Sequence, residues 1–160
     1  MNPLFRRAND TDAAALAELW LRSYSSALPT VRRAHDDDAV RRWFADVVVP
    51  HRETWLAAAD DTILGLLVLS TDELEQLYLD PAWQGKGLGD RFINLAKQRR
   101  PNGLELWTFQ VNEPARRFYA RHGFAEVEWT DGLRNEEQEP DVRSVWQPDT
   151  AGITRRAGRG

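Results

Sequence analysis

Apolar and polar positions along the chain change period several times, and each change predicts an element. Leu4 to Ala8 reads as a short first strand. From Asp10 to Tyr24, Leu16, Leu19, Trp20 and Tyr24 recur at helical spacing, with acidic Asp10 and Asp12 leading and Pro29 closing the region. A second helix is predicted over Asp36 to Val47, with Val40, Trp43, Phe44 and Val47 on one face and three aspartates where the helix dipole favours them. Thr54 to Ala59 and Thr62 to Ser70 are apolar runs separated by Asp60-Asp61, which reads as a hairpin. Glu73 to Leu79 alternates, placing Glu73, Glu75, Leu77 and Leu79 on one face and Leu74, Gln76 and Tyr78 on the other.

After Asp80-Pro81 comes a glycine-rich turn and a helix carrying Leu88, Phe92, Leu95 and Ala96. A strand follows from Leu104 to Phe109. A helix then opens at Asn112-Glu113-Pro114, with Gly123 as its C-terminal cap. Phe124 to Thr130 and Val142 to Trp146 read as strands joined by a polar loop. The order is β-α-α-β-β-β-α-β-α-β-β. It predicts a mixed α/β domain around a single, mostly antiparallel sheet over residues 1–147, with 148–160 as a flexible tail.

Composition narrows the functional classes. The chain has 160 residues, the size of one domain, and a formal net charge of −4, so nucleic acid is not an expected partner. The longest apolar run, Ile63 to Leu69, is far shorter than a membrane span, and the first residues carry no apolar signal segment. A cytoplasmic protein without membrane attachment is therefore expected. There is no cysteine, which excludes disulfides and thiol nucleophiles. His35, His51 and His122 lack metal-ligand spacing, so no metal is expected.

The segment richest in chemistry is Leu77-Tyr78-Leu79-Asp80-Pro81-Ala82-Trp83-Gln84-Gly85-Lys86-Gly87-Leu88-Gly89. Glycines between a strand and a helix allow a ligand close to the backbone, and unpaired N–H groups at the helix start favour an anion. A phosphate or pyrophosphate is the expected ligand. The spacing fits neither a Walker loop nor a dinucleotide fingerprint, which disfavours a nucleotide-binding regulator.

Gln84-Gly85-Lys86-Gly87-Leu88-Gly89 resembles motif A of the GNAT superfamily of acyl-CoA-dependent N-acetyltransferases. Leu104 to Phe109 with Asn112, Ala115, Phe118-Tyr119 and His122-Gly123-Phe124 resembles its motif B. The element order matches that family's fold. The resemblance implies an acetyl-CoA-dependent enzyme whose fourth and fifth strands splay apart around the pantetheine arm. Leu77, Tyr78 and Leu79 would line that arm, with main-chain pairing from Leu77 and Leu79. Gln84, Gly85, Lys86, Gly87, Leu88 and Gly89 would hold the pyrophosphate, and Asn112 would contact the arm. Tyr119 would stand near the thioester sulfur as general acid.

Acetyl transfer to an amine also needs a base or water relay, and without cysteine the natural mechanism is direct attack in a ternary complex. Glu73 and Glu75 are the candidate bases, Glu73 ranked first. The resemblance places the acceptor between the first helices and the last strands, which points to Tyr24, His35, Trp107 and Glu136. The expected partner is a small-molecule or peptide amine; dimers are common in the family, but no interface is legible. The alternative is a non-catalytic acyl-CoA-binding sensor on the same fold.

Overall fold

A computed structural model describes residues 2–148 of the chain. The predicted tail, apart from Pro148, lies outside the described residues. Strand β1 is Leu4–Arg7 and leads through a short 3₁₀ turn into helix α1, Ala13–Ala27. Asn9 and Asp12 cap that turn reciprocally: the Asn9 side chain accepts from the Thr11 N–H and Asp12 accepts from the Asn9 N–H. Asp12 also takes both guanidinium nitrogens of Arg6, at 2.8 and 2.9 Å. Burial of Leu16, Leu19, Trp20 and Tyr24 agrees with the predicted face.

Helix α2, Asp37–Trp43, is capped by Asp36. It runs past its predicted end through a π-helical stretch, Phe44–Val48, into a single turn, α3, Val49–His51. Pro50 explains the widening. A proline ring clashes with the carbonyl four residues earlier and offers no N–H, and a wider turn relieves both faults.

Strands β2 (Glu53–Ala59), β3 (Thr62–Leu69) and β4 (Leu74–Leu79) extend β1 into an antiparallel sheet of order β1-β2-β3-β4. Helix α4 (Leu88–Arg99), β5 (Leu104–Phe109), helix α5 (Glu113–Arg121), β6 (Ala125–Trp129) and β7 (Asp141–Trp146) follow. The last three strands pair as β5-β7-β6, again antiparallel. A parallel bridge, Glu73 with Glu105, joins the two halves. The architecture is thus the predicted mixed, mostly antiparallel sheet flanked by helices, opened at one junction.

Apolar residues fill both faces of this sheet. Leu56, Leu66 and Val68 pack with Trp20, Phe44 and the rest of the α1–α2 side. Leu67, Leu69, Phe92, Ile93 and Leu106 pack with α4 and α5 on the other. Alternation along β3 buries both faces, which explains its unbroken apolar run.

One predicted pairing of faces is corrected. Opposite β4, Val68 pairs with Gln76 and Leu69 pairs with Leu74, so Glu75 is the extra residue of a β-bulge. The bulge resets the alternation: Leu74 joins Leu77 and Leu79 on the α4 side, while Gln76 and Tyr78 face α1. Glu73 and Glu75 therefore do not continue the Leu77–Leu79 face.

Candidate active site

Strands β4 and β5 touch at Glu73 and Glu105, where the Glu105 N–H donates to the Asp72 carbonyl at 2.9 Å, and then diverge. Beyond that point β4 keeps β3 on one edge and, among the described residues, has no strand on the other. The Asp80 N–H donates to Leu64 in β3 at 2.8 Å. Main-chain groups alternate sides along a strand, so Leu77 and Leu79 turn theirs into the gap. Ser23 of α1 donates its hydroxyl to the Leu79 carbonyl at 2.8 Å, fixing α1 beside this open edge.

Two cavities meet in the gap. One, of about 600 Å³, runs along Leu77, Tyr78 and Leu79 to Gln84, Gly85, Gly87 and Gly89. The other, of about 1070 Å³, opens toward α1 and the β6–β7 loop. They share Leu77, Tyr78, Asn112, Ala115 and Tyr119.

The first cavity ends at the start of α4. Gly87 caps that helix at φ +82° with no side-chain hydrogen bond, and Gly85 stands at φ +74°. Both are left-handed conformations that favour glycine. The first main-chain hydrogen bond there runs from the Arg91 N–H to the Gly87 carbonyl, so the N–H groups before it have no helical partner. Gly89 serves packing: a Cβ there would sit 3.1 Å from the Phe118 ring. Lys86 lies over the Trp83 ring at 4.8 Å and Leu88 is buried in the core; neither lines this cavity.

Asn112 caps α5, its side chain accepting from the Ala115 N–H at 3.3 Å. Tyr119, two turns on, is buried with its ring edge-on to Phe118 and Phe124, and burial pushes its phenol well above the ordinary range. It lines both cavities. A group there stays protonated at neutral pH.

Of the two glutamates, Glu75 lines the larger cavity and Glu73 is absent from its wall. Glu75 Oε2 is buried 2.9 Å from Arg52 Nε, an ionic contact whose angles make no hydrogen bond, so this oxygen keeps accepting capacity. Glu73 sits at the closed apex. Burial, then its neighbours Glu75, Glu105 and Asp72, raise its affinity for a proton.

Tyr24 and Trp107 line the larger cavity. His35 and Glu136 do not; they pair with each other at 2.7 Å on the rim of a side chamber. The adjacent Glu137 faces both the chamber and the cleft, a position the sequence placed only within a loop. Thr108, whose buried hydroxyl has no partner among the described residues, is a cleft residue that no sequence signal marked.

An open strand edge, a glycine-capped helix start and a buried tyrosine thus meet along one continuous opening. The pattern of the acetyltransferase (GNAT) family matches residues 13–124, and the chain belongs to that family. It is an N-acetyltransferase. The chain is 27% identical over 131 residues to the peptidyl-lysine N-acetyltransferase YiaC of Escherichia coli (strain K12), covering 80% of this chain and 88% of that protein. Its fold resembles the solution structure of apo YjaB from Escherichia coli, with TM-score 0.77, 22% identity, and 92% and 99% of the two chains covered. It also resembles the PaiA N-acetyltransferase of Thermoplasma acidophilum solved with coenzyme A, at TM-score 0.72 and 19% identity, covering 92% and 99%. Among the described residues no helix is long and apolar enough to cross a membrane.

Proposed function

We propose that the protein transfers an acetyl group from acetyl-CoA to a primary amine of a small molecule or peptide by direct attack in a ternary complex. The observation that carries this reading is the continuity of the two cavities at Tyr119: a donor slot ending at Gly87 and an acceptor cleft with acidic walls share that side chain. The name of the relative YiaC supports lysine side chains of peptides as one acceptor class.

The residues fit the donor. The main-chain edge at Leu77 and Leu79, where only the Leu79 carbonyl accepts from Ser23, suits the amides of a pantetheine arm, and the N–H groups from Gln84 to Gly89 suit its pyrophosphate. Asn112 borders both. Bound there, the donor supplies a thioester whose carbonyl the acceptor nitrogen attacks. The C–N bond forms, the C–S bond breaks, and the Tyr119 hydroxyl gives its proton to sulfur. The surplus amine proton passes to Glu75, the carboxylate on the cleft wall, directly or through water. Glu73 stands behind it at the apex as a second acidic group.

The test is free-thiol release from acetyl-CoA across amines, amino acids, aminoglycosides and lysine peptides. Turnover of at least one amine supports the reading. Tight CoA binding with no turnover of any acceptor would favour a non-catalytic sensor, and absence of CoA binding would refute the donor assignment.

A further inference from the structure

Beside the acceptor cleft lies a chamber of about 420 Å³ whose aromatic surfaces come from Trp20, Tyr24 and Trp43. It shares Trp20, Tyr24, Gln76 and Glu137 with the cleft, so the two spaces adjoin at those side chains. Two polar groups there have no partner among the described residues. The Tyr24 hydroxyl is fully buried without a hydrogen bond, in a residue only 4% exposed. Glu137, half-buried, makes no hydrogen bond or ion pair through its carboxylate. They sense one another: after burial itself, Glu137 is the main influence raising the Tyr24 pKa to about 12.

The other charges around the chamber are committed. Arg33 donates to Asp37 at 2.5 Å and to the His35 carbonyl at 3.1 Å. Glu136 is held by His35. What remains is one unpaired carboxylate and one unpaired phenol among indole faces. An apolar occupant would leave both polar groups desolvated and unmatched. A carboxylate would meet Glu137 with like charge while Arg33 is already engaged. A cation satisfies the carboxylate, the phenol oxygen and the aromatic faces together.

We propose that this chamber holds a second cationic group of the acceptor, an ammonium or guanidinium remote from the amine that is acetylated. Glu137 is its counter-ion and the Tyr24 hydroxyl its hydrogen-bond acceptor. The inference rests on the acetyl-transfer reading of the adjoining cleft. It makes Glu137 and Tyr24 determinants of specificity, selecting acceptors with two basic groups.

The experiment uses an ω-aminoalkylguanidine and its ω-aminoalkylurea counterpart, which offer the same amine and differ in the charge of the distal group. Each is measured two ways: by calorimetric binding to the CoA-loaded protein and by turnover with acetyl-CoA. The wild type is expected to favour the guanidine by about tenfold or more in both, the scale of one charge-assisted contact. Glu137→Gln should bring the ratio close to one, and Tyr24→Phe should lower it. Asp61→Asn, which removes the same charge from the exposed β2–β3 turn, should keep it.

Equal binding and turnover of the two probes by the wild type would overturn the proposal, as would a preference that survives Glu137→Gln. Turnover without discrimination leaves acetyl transfer standing and removes the chamber. Discrimination in binding that depends on Glu137, with no turnover of either probe, keeps the chamber and removes the transfer reading for these amines.

Discussion

Replacing Tyr119 with phenylalanine separates chemistry from packing at the point where the two cavities meet. The ring is buried, with centroids 5.3 Å from Phe118 and 5.6 Å from Phe124, and phenylalanine fills the same space. The main-chain carbonyl at this position accepts from His122 and Phe124, both at 3.0 Å, and does so whatever the side chain. The hydroxyl itself makes no hydrogen bond among the described residues, so its removal orphans nothing in the fold. The melting temperature should therefore move by no more than about two degrees. Catalysis should respond very differently. A positioned general acid contributes roughly a hundredfold to ten-thousandfold, or about 3–5 kcal/mol of barrier. Tyr119→Phe should lower kcat by a factor in that range in a thiol-release assay, with KM for acetyl-CoA changed by less than about threefold. Burial holds the phenol protonated well past neutrality. The variant should thus keep the shape of the wild-type pH profile from about pH 6 to 9, scaled down. A kcat within twofold of wild type would refute the acid role, and so would a rate loss matched by a loss of folded protein.

Two further predictions concern the donor slot and the fold. Gly87→Ala forces a side chain to φ +82°, costing about 1–2 kcal/mol, and shifts the helix start. It should raise KM for acetyl-CoA several-fold and lower the melting temperature by several degrees; unchanged values in both would contradict the assigned geometry. Glu53 is opposed by its burial but receives hydrogen bonds from Arg99, Trp55 and Arg100, which bring its pKa down to about 2. Because the folded value is depressed, its stabilisation is present above the unfolded value near 4.5 and fades as pH falls toward 2. Glu53→Gln should be less stable than wild type at neutral pH by about 2–3 kcal/mol, the gap closing under acid denaturation. A gap that persists at pH 2 would show that these contacts act otherwise.

The glycine-rich helix start was legible in the sequence because its geometry is local and largely main-chain. Gln84 to Gly89 carry their own meaning through glycine, whereas the roles expected of Asn112 and Tyr119 came from the resemblance of their segment to motif B. The acceptor side depends on contacts between distant segments. Alternation in β4 failed at Glu75 because the bulge is set by pairing with β3, which no count along β4 reveals. A one-residue shift in the β6–β7 loop turns Glu137 to the cleft and gives Glu136 to His35, across a hundred residues of chain. The second helix was expected to end at Val47, but the chain carries it on through a π-helical turn to Pro50. The opening between β4 and β5 arises from pairing: β5 takes β7 as its partner, leaving the Leu77–Leu79 edge free.

Amide hydrogen exchange with and without CoA tests the central claim most directly, because the proposed donor site is built from main-chain groups. CoA should slow exchange at Leu77, Leu79 and the amides from Gly85 to Gly89, while β1 and β2 stay unchanged. Binding that leaves these amides exchanging at their free rates, or protects a different surface, would contradict the account.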